Sequence, residues 1–318
     1  MAISHYIKEI GRGKDGARSL NRSQAADLFG QVLDGSVTDL EVGGFCLAMR
    51  IKGETADEMA GFLDATYARM ARVPVQGSVA AVVLPSYNGA RKLPVLSPLL
   101  ALLLARQGCA VLVHGTATES TRIFTSTVLE ALEILPQTAI TPIASGTVAF
   151  YPTELLCPGL KRLLDVRRAV GLRNPAHSLV KLMNPCQSPA IVVGSYTHPE
   201  YAVSMAAVFS LMQSHALLLR GTEGEPVADA RRTPRMLGFV NGQQRVLQEA
   251  QAGSLASLPD LPAGTGALQT ADYIQQVMGG KLPVPQPIAT QVERILLLIQ
   301  LCQQKEPANQ LGQSAQPP

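Results

Sequence analysis

Short apolar runs that alternate with longer helix-like segments constrain the fold of this chain from about residue 78 onward. The apolar runs lie at 79–84, 110–113, 190–194, 216–219 and 236–240. The helical patterns lie between them, at 97–107, 125–135, 158–170 and 199–213. Short strands in alternation with helices are typical of a parallel sheet joined by crossover helices. The sequence therefore predicts an α/β fold with a mainly parallel sheet flanked by helices.

The first seventy residues carry a different pattern, which predicts a helical bundle. Three sites have a side chain that can cap a helix and a Glu or Gln three positions later, the signature of a capping box. They are Thr38 with Glu41, Thr55 with Glu58 and, more weakly, Asn21 with Gln24. After Thr55, apolar residues recur at helical spacing. The segment 39–51 is apolar nearly all round, so we expect it to pack against other helices or against a second subunit.

Pro74 and Gly77 mark the change between the two patterns and predict a hinge there. The predicted organisation is an N-terminal helical, dimer-forming domain at 1–73, an α/β domain at 74–304 and a flexible tail at 305–318. The tail is rich in Gln and Pro, a composition that disfavours a packed structure.

Composition excludes several classes of protein. With 47% apolar and 16% charged residues, the chain has the composition of a folded globular protein. Its five cysteines include no CxxC pair, which argues against a disulfide framework and a zinc site and favours reduced thiols. The longest apolar run, 95–105, is interrupted by Pro98 and is shorter than the roughly 20 residues of a membrane span. We therefore expect a cytoplasmic protein with no membrane partner.

Polar loops follow three of the predicted strands, at 85–92, 114–122 and 221–225. Ligands of parallel sheets bind at this edge, so these loops are either an anion site or ordinary connections. His114, directly after a strand, is the histidine we expect to contact a ligand. The chain has no GxGxxG, GxxxxGK[ST], HExxH or GxSxG motif, and we assign no catalytic residue, metal ligand or cofactor from the residues alone.

The strongest charge feature is the segment 160–181. Against one acid, Asp165, it carries six cations: Lys161, Arg162, Arg167, Arg168, Arg173 and Lys181. This excess is larger than the net charge of +3 on the whole chain. The cations are either an ordinary solvated face or an electrostatic site for nucleic-acid phosphates.

Helical geometry separates Arg167 from its neighbours. Leu160, Leu163, Leu164 and Val170 are predicted to form a buried stripe, with Lys161, Arg162 and Arg168 on the opposite face. Arg167 falls on the apolar stripe. A cation there needs an acidic partner, an anionic ligand or a path to water.

Five segments resemble anthranilate phosphoribosyltransferases, and the similarity runs from about residue 3 to 245. They are 6–13 (YIKEIGRG), 50–55 (RIKGET), 114–115 (HG), 166–173 (VRRAVGLR) and 184–185 (NP). The resemblance implies a dimer-forming N-terminal helical domain and a larger α/β domain of the nucleoside phosphorylase/phosphoribosyltransferase type.

The donor motifs of that family are missing. Its Gly-Thr-Gly-Gly-Asp loop, which holds the pyrophosphate of phosphoribosyl pyrophosphate, is replaced by 85–89, and its Asn-x-Ser-Thr by 95–98. Its magnesium-binding Asp-Glu pair falls on Pro226 and Val227, and the His that opens its basic helix is Cys157. The resemblance thus implies a relic substrate cleft at Asn88, Gly89, His114, Gly115, Arg167, Glu223 and Glu225.

The replacement motifs resemble the YbiB-type branch of these proteins (glycosyl transferase family 3). They are 85–92 (PSYNGARK), 220–225 (RGTEGE), 172–174 (LRN) and 176–177 (AH). The resemblance implies a homodimer that binds DNA or RNA with little sequence preference and lacks transferase activity. We predict that function, carried by the six cations of 160–181.

Two alternatives remain open at this stage. One is a phosphoribosyltransferase related to tryptophan biosynthesis, with altered donor recognition through His114, Arg167, Glu223 and Glu225. Only that alternative requires Mg²⁺. The other is a fold retained as a dimeric scaffold.

Overall fold

The computed structural model describes residues 3–13, 15–77, 81–254 and 259–304. The first two residues of the apolar run 79–84, and the predicted tail 305–318, lie outside the described residues. Within them the predicted architecture is confirmed: an N-terminal helical bundle precedes an α/β domain with a mostly parallel sheet.

Four helices form the N-terminal bundle: α1 (Ser4–Ile10), α2 (Arg22–Asp34), α3 (Asp39–Lys52) and α4 (Ala56–Tyr67). All three predicted capping boxes are confirmed, at the starts of α2, α3 and α4. The rings of Phe29, Phe45 and Phe62 meet in the bundle core, with centroids 4.6 Å apart for Phe29 and Phe62. Capping fixes where the helices begin, and the aromatic contacts fix how they pack.

One seven-stranded sheet forms the centre of the second domain, in the order β3-β2-β1-β4-β5-β6-β7. The strands are β1 (Ala81–Ser86), β2 (Val111–Gly115), β3 (Val148–Pro152), β4 (Ala190–Tyr196), β5 (Ala216–Arg220), β6 (Met236–Val240) and β7 (Gln243–Gln248). The first five in sequence are parallel, and β6 and β7 are antiparallel. The strand order reverses at β1 and β4, and such a switch point opens a crevice at the carboxyl ends of the strands.

Helices cover both faces of the sheet. In chain order they are α5 (Ser97–Arg106), α6 (Thr125–Ala131), α7 (Thr153–Leu156), α8 (Pro158–Val170), α9 (Ala176–Leu179), α10 (Pro199–Leu211), α11 (Ala267–Met278) and α12 (Gln286–Gln303). One apolar core joins a sheet face to the N-terminal bundle and α8, and a second lies under α5, α11 and α12. Among the described residues, each helix is too short or too polar to cross a bilayer.

Candidate functional site

Two segments meet at the switch point of the sheet: the loop after β1 and the turn after β5. The side chain of Glu225, only 1% exposed, extends from the turn into the loop. Its Oε1 accepts hydrogen bonds from the backbone amides of Asn88 and Gly89, both at 2.8 Å. Its Oε2 accepts from the hydroxyls of Ser86, Thr125 (3.2 Å) and Ser97 (3.4 Å). The loop therefore holds an oxyanion on amide and hydroxyl donors, and the oxyanion belongs to the chain itself.

Glu223 fills a second set of amides in the same loop. Its carboxylate accepts from the backbone amides of Arg91 and Lys92, the latter at 2.9 Å. The side-chain amide of Asn88 donates back to the Glu223 carbonyl at 2.8 Å. A Cβ at Gly224, whose φ is +88°, would lie 2.0 Å from Asn88 Nδ2, so this close approach requires glycine. Loop and turn are thus held together by side chains and backbone alike.

These contacts determine whether the two glutamates can coordinate a metal ion. The family resemblance points to Mg²⁺ near Glu223 and Glu225, but both carboxylates already accept from backbone amides or hydroxyls. Coordination of Mg²⁺ would need those oxygens free and pointing to a common centre. Within 3–13, 15–77, 81–254 and 259–304, three or more His, Cys, Asp or Glu nowhere group as metal ligands would. The residues present do not fit the ion.

His114 lies inside the sheet layer. The side chain is fully buried, and its Nδ1 lies 2.7 Å from the hydroxyl of Tyr87, which lies 3.0 Å from Thr153 Oγ1. Burial lowers the pKa of His114 to about 3, so the ring is neutral. Gly115 is buried beside it. From the sequence we expect His114 to contact a ligand, but the structure buries its ring against Tyr87, and neither His114 nor Gly115 is exposed at the surface.

An open cleft of about 570 Å³ lies between the helical bundle and the sheet. The bundle side is formed by residues 49–56 and Met59, and the opposite side includes Asn88, Arg173, His177 and Lys181. The ammonium of Lys181 is buried and donates to the carbonyls of Gly224 (2.8 Å) and Ser195 (3.3 Å). Burial lowers its pKa to about 8. The structure therefore separates Lys181 from the other five cations of 160–181 that are predicted to bind nucleic acid, because a buried ammonium does not reach phosphates on the outer surface.

Arg167 has the acidic partner that its position on the apolar stripe required. Its Nη2 donates to Glu119 Oε1, and the other oxygen of Glu119 accepts from Arg122 Nε at 3.0 Å. Arg122 also donates to the Asn88 carbonyl at 3.1 Å, which ties the pair to the loop after β1. Glu119 and Arg122 lie in the polar loop 114–122 that the sequence indicates as a possible anion site. Their spacing of three residues was the signal of a pair, but the contact with Arg167 was not predicted.

The predicted cations of α8 have unequal freedom. Lys161 forms an ion pair with Asp165, and Arg162 donates to the Leu33 carbonyl at 2.7 Å, near the end of α2. Arg168 is 66% exposed and lies 3.5 Å from Asp165, so it is the most available of the three. Leu160, Leu163 and Leu164 are buried as predicted. Val170 is exposed instead, because it is the last residue of the helix and extends past the core.

The described residues cover only one side of the apolar segment 39–51. Phe45, Cys46 and Met49 of α3 are buried, whereas Leu40 is 86% and Ile51 60% exposed. Leu47 and Ile51 border a groove that also includes Ile7, Ile10 and Gly44. These exposed aliphatic side chains, at helical spacing, form an apolar face that the described residues leave uncovered.

Comparison with known proteins agrees with this architecture. Residues 4–70 match the glycosyl transferase family, helical bundle domain. The chain is 39% identical over 298 residues to the uncharacterized protein YbiB of Escherichia coli (strain K12), covering 92% of each. It is 28% identical over 276 residues to an anthranilate phosphoribosyltransferase of a Nocardioides species, covering 82% of this chain and 78% of the relative.

Solved structures share the fold at lower identity. Anthranilate phosphoribosyltransferase from Thermus thermophilus matches with a TM-score of 0.69 at 20% identity, over 93% of this chain and 97% of that one. The Saccharomyces cerevisiae enzyme, in complex with phosphoribosyl pyrophosphate and Mg, matches with a TM-score of 0.67 at 14% identity, over 95% and 89%.

Proposed function

We propose that this chain, which belongs to the YbiB-type branch of the anthranilate phosphoribosyltransferase-like proteins, binds DNA or RNA as a homodimer without transferase activity. The observation that carries the proposal is a contrast between two regions. The loop after β1, which in the family holds the pyrophosphate of phosphoribosyl pyrophosphate, is filled here by the carboxylate of Glu225. Cations, in contrast, remain in excess along α8 and the turn that follows it.

The filled loop argues against binding of phosphoribosyl pyrophosphate. A diphosphate there must displace a buried carboxylate that accepts from two amides at 2.8 Å. Each charge-assisted hydrogen bond contributes about 1.5–3 kcal/mol, and the incoming group would also repel the displaced carboxylate. No contact in the described residues favours the transferase alternative.

The excess of cations supports electrostatic binding of a phosphate backbone. Within the part of the chain that the structure describes, Asp165 pairs with Lys161 and Arg168, Glu119 pairs with Arg167, and Asp34 lies near Arg162. The five cations of 160–173 therefore exceed these three carboxylates. Arg168 extends into solvent. Because such contacts release condensed counterions, they bind nucleic acid with little regard to sequence and lose affinity as salt rises.

The exposed face of α1 and α3 supports a homodimer. Leu47 and Ile51 lie beside the groove at Ile7 and Ile10, and Leu40 is exposed on the same helix. A twofold axis would bring one such apolar face against its copy. We also propose a cytoplasmic location, which the five free cysteines support.

Fluorescence anisotropy with labelled single-stranded and double-stranded DNA, at low and high salt, tests the proposal. If Lys161, Arg162 and Arg168 of both subunits neutralise phosphates, the slope of log K against log salt should approach roughly −5 on duplex DNA, at about −0.9 per phosphate. Salt-independent binding, or none, would overturn it. In parallel, consumption of anthranilate in the presence of phosphoribosyl pyrophosphate and Mg²⁺ would favour the transferase alternative.

A further inference from the structure

Three hydrogen-bonding groups at the cleft or beside it lack a partner among the described residues. Arg173 and His177 line the cleft, and Arg167 lies near them. Nη1 of Arg167 and Nε2 of His177 are buried and have no hydrogen-bond partner among the described residues. The guanidinium of Arg173 lines the cleft and forms neither an ion pair nor a side-chain hydrogen bond in the described ranges. Buried donors without acceptors cost free energy, so a cluster of them indicates a ligand that supplies acceptors.

The turn that carries two of these donors is held in place. The side-chain amide of Asn174 donates to the Leu163 carbonyl at 2.7 Å, and its Oδ1 accepts from the Ala176 backbone at 3.1 Å. His177 Nδ1 lies 3.3 Å from the backbone N, the carbonyl oxygen and Oδ1 of Asn174. In the tautomer in which Nδ1 accepts from the Asn174 amide, Nε2 carries the proton and is the free donor. His177 is 9% exposed and lines the cleft. Its ring therefore has one fixed position, and its free nitrogen is preorganised rather than mobile.

Charge at this position is unbalanced. Arg122 and Arg167 share the single carboxylate of Glu119, and Arg173 adds a third guanidinium. Burial and the proximity of Arg167 and Arg122 lower the pKa of Arg173. Burial and Arg173 likewise lower the pKa of His177, to about 4. Partly buried cations in excess over their carboxylates are stabilised by an added anion.

We propose that the cleft binds a terminal phosphate group through Arg173 and His177, with the guanidinium of Arg167 beside them adding positive charge. A phosphomonoester brings three terminal oxygens and a charge of about −1.5 to −2 to this cluster, whereas a carboxylate brings two oxygens and a single negative charge. Guanidinium groups match phosphate geometry, and Asn88, Ser178 and Thr197 line the space beside it. A cleft of about 570 Å³ admits a nucleoside attached to that phosphate.

The phosphate has two possible sources: the end of a nucleic-acid strand or a free mononucleotide. The strand-end form rests on the proposed function, and the mononucleotide form does not. Oligonucleotides of one sequence, with a phosphate at the 5′ end, the 3′ end or neither, distinguish the sources when compared by anisotropy. A nucleoside and its 5′-monophosphate, compared by calorimetry, complete the set.

We expect the wild-type protein to prefer a phosphorylated end, or the monophosphate over the nucleoside, by about tenfold, the effect of one charge-assisted hydrogen bond. Arg173→Ala and His177→Leu should abolish the preference. Arg167 is left unchanged because its loss would leave Glu119 without one of its two partners.

Arg168→Ala is the matched control, since it removes a guanidinium exposed on α8. It should weaken all oligonucleotides alike and leave the end preference intact. Equal binding of phosphorylated and unphosphorylated ligands by the wild-type protein, in both sets, overturns the cleft site, whether or not the variants fold. Failure of every oligonucleotide to bind contradicts the proposed function instead, and a monophosphate preference would then still support the site.

Discussion

The carboxylate of Glu225 accepts a hydrogen bond of 2.8 Å from the backbone amide of Asn88, 137 residues away in the sequence. The amide of Gly89 and three hydroxyls complete the set of donors. An oxyanion in such a site usually belongs to a ligand. Here it connects the loop after β1 to the turn after β5, so an edge of the sheet suited to ligand binding has become part of the folded framework.

Replacing this carboxylate should destabilise the protein. Glu225→Ala leaves the Asn88 and Gly89 amides buried and without an acceptor, at about 1–3 kcal/mol each, so we expect a loss of about 3 kcal/mol in the free energy of unfolding. Urea denaturation measures it. Glu225→Gln keeps one acceptor oxygen and should lose less.

Glu223→Ala is the control for that experiment, because its amide partners lie in an exposed part of the loop where water replaces the carboxylate.

Added inorganic phosphate should restore part of the stability of Glu225→Ala and leave the wild type unchanged. If Glu225→Ala has the same free energy of unfolding as the wild type, the carboxylate contributes nothing to the stability of the fold.

The sequence predicted five of the seven strands and missed the two at the edges of the sheet, β3 and β7. Strand β3 (Val148–Pro152) pairs with β2 alone among the described strands and is only partly buried. The apolar runs at 110–113, 190–194, 216–219 and 236–240 became β2, β4, β5 and β6 within one to two residues. Strand β7 (Gln243–Gln248) pairs only with β6 at the sheet edge, and its mostly polar residues carry no apolar signal. Periodicity reports burial, so an exposed edge strand remains invisible to it.

The site was harder to predict than the fold because its contacts are distant in sequence. Arg167 was predicted to need a partner from helical periodicity alone, but its partner Glu119 lies 48 residues earlier. The sequence groups Lys181 with the other cations of 160–181, because its charge can be seen in the sequence and its burial cannot. Local patterns give the faces of a helix, whereas the partner of each charge depends on tertiary packing.

The apolar face of α3 should hold the dimer together. Leu47→Glu combined with Ile51→Glu places two carboxylates on the predicted interface and should yield a monomer of 33.8 kDa. Multi-angle light scattering distinguishes this from a mass about twice as large. Val203→Glu on α10, which is also an exposed aliphatic position, should leave the dimer intact. A wild-type monomer at micromolar concentration contradicts the prediction.

Lys181 should make stability depend on alkaline pH. Burial lowers its pKa from 10.5 to about 8 in the folded state, so between these values the unfolded chain binds more protons than the folded one. The cost of burying the ammonium is complete below about pH 8 and is relieved as pH rises toward 10.5. Stability should therefore increase with pH in that window, by at most about 1.4 kcal/mol per pH unit.

Comparison with Lys181→Met isolates this effect. From pH 8 to pH 10, the unfolding free energy of the wild type should rise relative to that of the variant. Urea denaturation measures both. Lys92→Met, at an exposed position, should show a constant difference over the same range. A constant difference for Lys181→Met as well would mean that its ammonium titrates as it does in water.

Arg168 should account for more of the salt dependence of nucleic-acid binding than its neighbours on α8. It is 66% exposed and only loosely paired with Asp165, whereas Lys161 is paired closely and Arg162 donates to the Leu33 carbonyl. Arg168→Ala should reduce the slope of log K against log salt by about 0.9 for each phosphate that Arg168 neutralises, or about 1.8 in a dimer that uses both copies.

Arg162→Ala should act differently, because it removes a hydrogen-bond donor from the end of α2. It should lower the free energy of unfolding and change the slope of log K against log salt very little. Arg231→Ala, whose guanidinium is paired with Asp229, supplies the same change in net charge away from α8. If Arg168→Ala and Arg231→Ala change the slope equally, the phosphate contacts follow net charge and not the α8 surface. If only Arg168→Ala changes the slope, α8 contacts the phosphate backbone of the nucleic acid. Arg173 and His177 of the cleft are then free to bind the phosphate at the end of the strand.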